Sequence, residues 1–567
     1  MRKGKKIIIT VFSLFVGFPL IFIVIIFAIT LALYFTADFK QPSQEIDLSK
    51  YQVLSKTDSL KICNNSVAKL NKYGLWEVKI SGNSIERGAT YGLLCDNLLK
   101  YQEDVFVNQI HNLISSERAV EFLHKLIILF NRNMALYIPQ EYREEIYAMS
   151  LSCTDRYNSY GSPYVRQLNY HAAHDIGHAM QDYMLVGCTS FACWGEESET
   201  KGLILGRNFD FYVGDDFAKN KVVLFVEPTE GYRFVSISWP GMMGVVSGMN
   251  EKGLTVTINA AKGEIPISSA MPISILIRHI LQYATNIEEA YDIAQEYKTF
   301  VSESIMVGSV NDGKAVIIEK TPQKIALYST PDTKILCTNH YQSDLFSSDE
   351  YNIENIETSD SPYRYARLNE LLSEYNPIDV LDAVKILRDR KGQGGKDIGL
   401  SNEKSINQFI AHHSVVFQPN KLRLWVSTSP WQLGEYICYD LNEVFNDSSL
   451  NIKTYMKEEL NIAADSILIN DEYIRVSQFR EQQKELNQAI ENNKKLSAEY
   501  IKSFVKNNPN YFKTYEVLGD YMEAIGEQNN ALDYWIQALE LEIPRKAEQN
   551  RIIEKIHRYD KGYKSSL

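Results

Sequence analysis

Hydrophobic and polar positions change texture three times along the chain. Residues 7–37, IIITVFSLFVGFPLIFIVIIFAITLALYFTA, form a run of 31 positions without a charge. As a helix this run would be about 46 Å long, more than the roughly 30 Å hydrocarbon core, so it is expected to tilt or to kink at Gly17 or Pro19. Arg2, Lys3, Lys5 and Lys6 precede it. The positive-inside rule then predicts a single-pass membrane protein with its N-terminus in the cytoplasm and everything after Asp38 outside. A cleaved signal peptide is the competing reading. Its apolar region is usually about 7–15 residues and ends at a small-residue site, whereas this run is longer and has no clear A-x-A.

Residues 38–83 are polar without a clear period and read as a linker. From 84 to 187 the period is helical. IERGATYGLL places Gly88 and Gly92 four apart on one helix face, where a second helix could approach closely. Pro139 marks another helix start. After Cys188 the pattern becomes short β-branched and aromatic runs such as KVVLFVEP, YRFVSISWPG and KLRLWVSTSP. NEKG at 250–253 and NDGK at 311–314 are turn signals between paired runs. Helical stretches interrupt at 268–297 and 362–390. Hairpins with segregated helices predict an α+β domain over 188–446.

Residues 447–567 read as all helical. TYEVLGDYMEAIGEQNNALDYWIQALELEIP carries Tyr515, Leu518, Gly519, Ala531, Trp535 and Ala538 at tetratricopeptide positions, and Pro509 and Pro544 lie 35 apart. One and a half repeats are too few for a free-standing solenoid. The segment is either a helical cap on the domain before it or a groove for a protein partner.

Composition narrows the class. Apolar residues are 45% and charged residues 23% of the chain, as in globular proteins. The net charge is −12, and the only basic cluster is the N-terminal MRKGKK, so no nucleic-acid footprint is present. Seven cysteines in 567 residues are too few for a disulfide scaffold, and an odd count leaves at least one unpaired.

The informative stretch is GCTSFACWGEESETKGLILGRNFDF, from Gly187 to Phe211. With IERGATYG upstream and MNEKGL, TNHY, SPYRYARL and LWVSTSP downstream, in that order, the region from about 80 to 446 resembles the acyl-coenzyme A:6-aminopenicillanic acid acyltransferase family of N-terminal-nucleophile (Ntn) hydrolases. The resemblance implies a four-layer αββα sandwich. It also implies self-cleavage between Gly187 and Cys188, and an acyl-enzyme on Cys188 formed from a linear amide or a thioester.

The chemistry is consistent on its own terms. A thiol of ordinary pKa needs a base, and an α-amino group with a reference pKa of about 7.7–8.0, freed on the same residue, would be one. Gly187 has no side chain to oppose a strained backbone before the cut. By resemblance, Arg207 favours thiolate, Asp210 orients the α-amine, and Asn339 donates to the oxyanion. Asn259 is a second oxyanion candidate. Arg364 matches the arginine of an S-x-x-R-[YF]-x-R-L segment, with Arg367 one turn away as its rival. The substrate expected is a small amide or acyl compound, lipid-like if the membrane tether is a guide, and no cofactor is called for.

Two other readings compete. One is a membrane-anchored envelope scaffold with an inactive Ntn-like domain and a partner-binding helical end. The other is a zinc hydrolase built on His171, His174 and His178, which share a helix face beside Asp175 in HAAHDIGHAM.

Overall fold

The computed structural model describes residues 33–34, 36–114, 116–179, 187–266, 268–446 and 455–563. In chain order its strands are β1 (Val53–Thr57), β2 (Leu60–Cys63), β3 (Ser66–Leu70), β4 (Trp76–Gly82), β5 (Thr189–Cys193), β6 (Ile204–Asp210), β7 (Val222–Pro228), β8 (Phe234–Ser238), β9 (Ser247–Asn250), β10 (Leu254–Ala260), β11 (Glu303–Ser309), β12 (Lys314–Lys320), β13 (Ile325–Tyr328), β14 (Lys334–Cys337), β15 (Ala411–Gln418), β16 (Arg423–Ser427) and β17 (Tyr436–Asp440). They form an eleven-stranded sheet in the order 1-2-3-4-7-8-9-10-11-12-13 and a six-stranded sheet in the order 14-5-6-15-16-17.

Alternation along each strand builds the layers. In β7, Val223 and Phe225 join Leu205, Val415, Phe417 and Ile437 of the smaller sheet in one core. Val222, Leu224 and Val226 turn the other way, onto Leu168, Ile146, Ile277 and Ile280 of three helices. Those helices are Pro163–Ala179, Gln140–Ser150 and Ile273–Tyr283. Ile204, Val416 and Trp425 of the smaller sheet pack outward on Leu368, Leu371, Val384 and Leu387. These last belong to helices Ser361–Glu374 and Val380–Leu387. Period-two burial on both faces of two sheets, with helices outside each, gives α, β, β, α in four layers. That is the Ntn-hydrolase-like arrangement the resemblance implies.

The segment before Cys188 is integral to this body. Residues 38–83, expected to be a linker, hold β1–β4. These strands pair in sequence as an antiparallel ribbon, β1 with β2, β2 with β3 and β3 with β4. β4 then joins β7 in parallel, Trp76 opposite Val222 through Gly82 opposite Pro228. Helix Ser84–Leu94 crosses Gln140–Ser150 so closely that a Cβ on Gly88 would lie 2.1 Å from the Glu145 carbonyl oxygen.

The transmembrane helix is corrected. Among the described residues no helix is long and apolar enough to cross a membrane. The apolar run at 7–37 lies, apart from residues 33–34 and 36–37, outside the described residues. The single-pass, extracytoplasmic placement built on that run is withdrawn with it.

At the other end, five helices between Asp471 and His557 share a separate core around Phe479, Phe504, Leu518 and Trp535. They sit on the loop at 396–405. Asn508 exchanges two hydrogen bonds with the backbone of Leu400, at 2.8 and 2.9 Å, and Glu542 binds Lys396 and Lys404. These contacts join the helical segment to the domain before it.

Candidate active site around Cys188

Cys188 immediately precedes β5 and is buried in the core between the larger sheet and its helices. In the antiparallel ladder Ser190 faces Arg207 and Thr189 faces Asn208, so alternate residues of this corner look to opposite sides of the sheet. Arg207 points inward and is fully buried. Its Nη1 donates to the Val246 carbonyl at 2.9 Å and to Ser247 Oγ at 2.5 Å. Its Nη2 donates to the Ile258 carbonyl and lies 3.7 Å from Cys188 Sγ. The guanidinium stacks over Phe209, 4.4 Å from the ring centre.

Burial pushes the Cys188 thiol up to about 11, against the pull of the Arg207 charge. In the intact chain the sulfur is thus a thiol at neutral pH.

Asp210 ends β6 on the same corner. Its backbone carbonyl accepts from the Gly187 N–H at 3.2 Å. Its side chain is fully buried, and neither carboxyl oxygen has a hydrogen-bond partner among the described residues. Burial raises this carboxyl to about 8, with Arg364 and Arg207 opposing.

Arg364 joins the remaining groups. From helix Ser361–Glu374 its Nη1 donates to the Cys188 carbonyl at 2.8 Å and to Thr189 Oγ1 at 2.9 Å. Its Nη2 donates to Asn339 Oδ1 at 2.6 Å, and Asp360 holds its Nε at 3.0 Å. Arg367 turns away to Asp389 and Glu370. Asn339 Nδ2 donates to the Ala260 carbonyl at 2.8 Å. Asn259 lies close by but spends both amide hydrogens on the Cys337 and Thr338 carbonyls, while its Oδ1 accepts from Ser190. It ties β10 to the segment carrying Asn339.

The histidine cluster is placed elsewhere. His171 Nδ1 bonds to the Gln167 carbonyl at 2.7 Å and its Nε2 accepts from the Met243 N–H at 2.9 Å, so both ring nitrogens are taken. Burial lowers its pKa to about 4. Asp175 accepts from the Ile273 N–H at the start of helix Ile273–Tyr283. The side chains of His174 and His178 lie outside the described residues. Among the described residues no cluster of three or more metal-ligating side chains is found.

Sequence reading missed the buried relay behind Arg207. Ser247 Oγ contacts His413 Nε2 at 2.9 Å, and His413 Nδ1 meets His412 Nδ1 at 2.9 Å. Both rings are driven to the neutral form by burial, His412 to about 3. Two adjacent histidines, His412 and His413, were the only signal in the sequence. Gln408, which contacts Gly187, had none, because 221 residues separate them. A small cavity lined by Phe211, Phe217 and Trp239 together with the polar Glu103, Gln167 and His171 adjoins the stack that Phe209 forms with Phe211 and Trp239.

Residues 195–429 match the model of the acyl-coenzyme A:6-aminopenicillanic acid acyl-transferase family. An uncharacterized protein of Archaeoglobus fulgidus is 23% identical, the match covering 82% of each chain. Protein dcd1B of Dictyostelium discoideum is 22% identical over 49% of this chain and 57% of its own. Among solved structures, the Caenorhabditis elegans ortholog of N-acylethanolamine-hydrolyzing acid amidase is 17% identical, with a TM-score of 0.31, covering 41% of this chain and 93% of its own. A mutant conjugated bile acid hydrolase from Clostridium perfringens is 13% identical, with a TM-score of 0.33, covering 45% and 93%.

Proposed function

We propose that the chain, whose residues 195–429 match the acyl-coenzyme A:6-aminopenicillanic acid acyl-transferase family, is a self-activating thiol amidohydrolase or N-acyltransferase whose nucleophile is Cys188, seven residues before that match begins. The chain is made uncut. Cleavage between Gly187 and Cys188 frees an α-amine on the nucleophile itself. β4 stays paired with β7 across that break, so both segments remain one body.

The observation that carries this reading is the Asp210 carboxyl. A buried carboxyl with no donor on either oxygen is costly, and such groups mark sites awaiting a partner. The α-amine that cleavage creates next to it supplies the missing N–H. That amine, with a reference pKa of about 7.7–8.0, accepts the thiol proton at neutral pH. Arg207 stabilises the resulting thiolate. The sulfur attacks the carbonyl of an amide or thioester, and the oxyanion takes the second N–H of Asn339. Collapse releases the amine or thiol and leaves a thioester on Cys188, which passes to water or to an acceptor amine. Asn259 positions Asn339, and Arg364 positions both Asn339 and the Cys188 backbone.

The test is the full chain as wild type and as Cys188→Ala, run on a denaturing gel with N-terminal sequencing. A fragment beginning at Cys188 in the wild type alone is expected. A wild type that stays whole, or a Cys188→Ala chain that is also cut there, overturns the reading.

A further inference from the structure

Gln408 has no part in the chemistry above, yet it touches the bond that chemistry breaks. Its side chain is 3% exposed, and its Nε2 donates to the Gly187 carbonyl oxygen at 3.2 Å. That carbonyl is the one a cut before Cys188 would attack. The approach is close: a Cβ on Gly187 would lie 2.6 Å from Gln408 Nε2 and 2.9 Å from its Oε1, so a larger residue there would displace the Gln408 amide. On its other side the Gly187 N–H is held by the Asp210 carbonyl at 3.2 Å. The peptide at the cut is thus gripped from two elements, and the grip on its oxygen is an amide donor.

Gln408 is itself held firmly. The next residue, Phe409, has φ of 56°, a left-handed conformation that a bulky residue adopts only when its surroundings impose it. The Phe409 N–H donates to Asn407 Oδ1 at 3.1 Å, and its carbonyl accepts from Arg480 Nη2 at 2.9 Å. Arg480 comes from the C-terminal helix Asp471–Glu491 and stacks on Trp431, 4.4 Å from the ring centre. The helical segment therefore braces the strained residue beside the donor.

We propose that Gln408 is a catalytic residue of the self-cleavage step, the donor that stabilises the oxyanion formed on Gly187. The proposal rests on the reading that the chain cuts itself before Cys188. In the step, the Cys188 sulfur bonds to the Gly187 carbonyl carbon and the carbonyl oxygen becomes an oxyanion on the Gln408 N–H. The bond from that carbon to the Cys188 nitrogen then breaks. The nitrogen takes the proton given up by the thiol, and Gly187 is left as a thioester on sulfur. Water hydrolyses the thioester to the Gly187 carboxylate, returning a proton to the sulfur. Two donors then divide two reactions: Gln408 serves the cut, and Asn339 serves the substrate. One oxyanion donor is worth roughly 10²–10³-fold in rate.

The test follows processing of freshly translated full-length chain on a denaturing gel, as wild type, Gln408→Met and Gln408→Glu. Met keeps the length and loses the donor. It should cut about 10²-fold more slowly, while whatever fraction is cut should react at Cys188 with iodoacetamide at the wild-type rate. Glu donates only when protonated, so its cutting should be slow at pH 8 and recover toward pH 5. Folding is read by comparing the melting of Cys188→Ala with that of Cys188→Ala/Gln408→Met, expected within a few degrees. Wild-type speed in Gln408→Met overturns the proposal. So does equal loss of Cys188 reactivity in the cut fraction, a Gln408→Glu chain slow at every pH, or a collapsed melting temperature. If the wild type is never cut, the parent reading itself has failed.

Discussion

Arg364 donates to Asn339 Oδ1 at 2.6 Å, and that bond decides which way the Asn339 amide faces. With the oxygen fixed on the guanidinium, Nδ2 points to the Ala260 carbonyl and keeps one N–H uncommitted. Arg364→Lys retains the charge but cannot span the Cys188 carbonyl and Asn339 at once. Its kcat should fall about 10-fold or more with little change in KM. Asn339→Ala, which removes the donor itself, should lose about 10²–10³-fold. Steady-state kinetics on cut enzyme, with the cut fraction measured in parallel, separates these effects from slower processing. A changed KM at constant kcat in both variants would argue against an oxyanion role.

The thiol gives a second prediction with a definite sign. Burial holds Cys188 of the intact chain at about 11, so its thiolate fraction falls about tenfold for each unit of pH below that. Alkylation of the uncut band should be slow at pH 7 and climb steadily to pH 10. The cut band should react quickly near neutrality, because the new amine takes the proton. Both bands are read in one sample on a denaturing gel. Equal reactivity of the two at pH 7 would remove the need for cleavage.

Asp210 links the same site to stability. Its carboxyl is raised to about 8 in the folded chain against an ordinary value of 3.8, so the fold favours the protonated form. The unfolded chain releases that proton near pH 4 and the folded chain near pH 8, so the unfolded state binds fewer protons between them. Folding stability of uncut Cys188→Ala should therefore fall as pH rises from about 4 to 8, by at most about 5 kcal/mol. Cys188→Ala/Asp210→Asn should show a flatter profile over that window. Denaturant unfolding at pH 5 and pH 8 measures both, and parallel slopes would place the titrating group elsewhere.

Much of this architecture is legible in local pattern. Gly88 and Gly92, four apart, announce a close helix crossing, and the Glu145 and Met149 carbonyls fill the space their side chains would need. The pairing of Gly519 with Trp535 is equally local: a Cβ on the glycine would lie 2.3 Å from the indole. Motif spacing likewise brings Cys188 and Arg207 to one corner, because β5 and β6 are neighbours in chain and in sheet, whereas Arg364 reaches it from a helix 176 residues on. The strands at 53–82 are hidden because the ribbon they form is half-exposed and has no strong alternation, and because its link to the sheet, β4 on β7, spans some 140 residues. Gln408 and the His412–His413 relay are hidden for a related reason. Their roles come from contacts that no sequence period encodes.

Glu145 tests the upstream layer. Its carboxylate is fully buried between Arg87 Nη2 at 2.8 Å and Arg278 Nη2 at 2.9 Å, both guanidiniums also buried. The two arginines hold this carboxyl below the usual carboxylate range. It ties helix Ser84–Leu94 to Ile273–Tyr283 across helix Gln140–Ser150 and so joins chain from both sides of Cys188. Glu145→Ala would leave two buried cations facing each other with no anion, a loss of about 3–5 kcal/mol. Glu145→Gln, which keeps the acceptor oxygen and the volume, should cost less. Because the triad bridges the two segments, the loss should also loosen their association after the cut. Urea unfolding of uncut Cys188→Ala chains measures the first effect. Retention of the upstream segment by an affinity-tagged downstream segment in mild urea measures the second. Unchanged retention together with a large loss of stability would confine Glu145 to the folding of the intact chain.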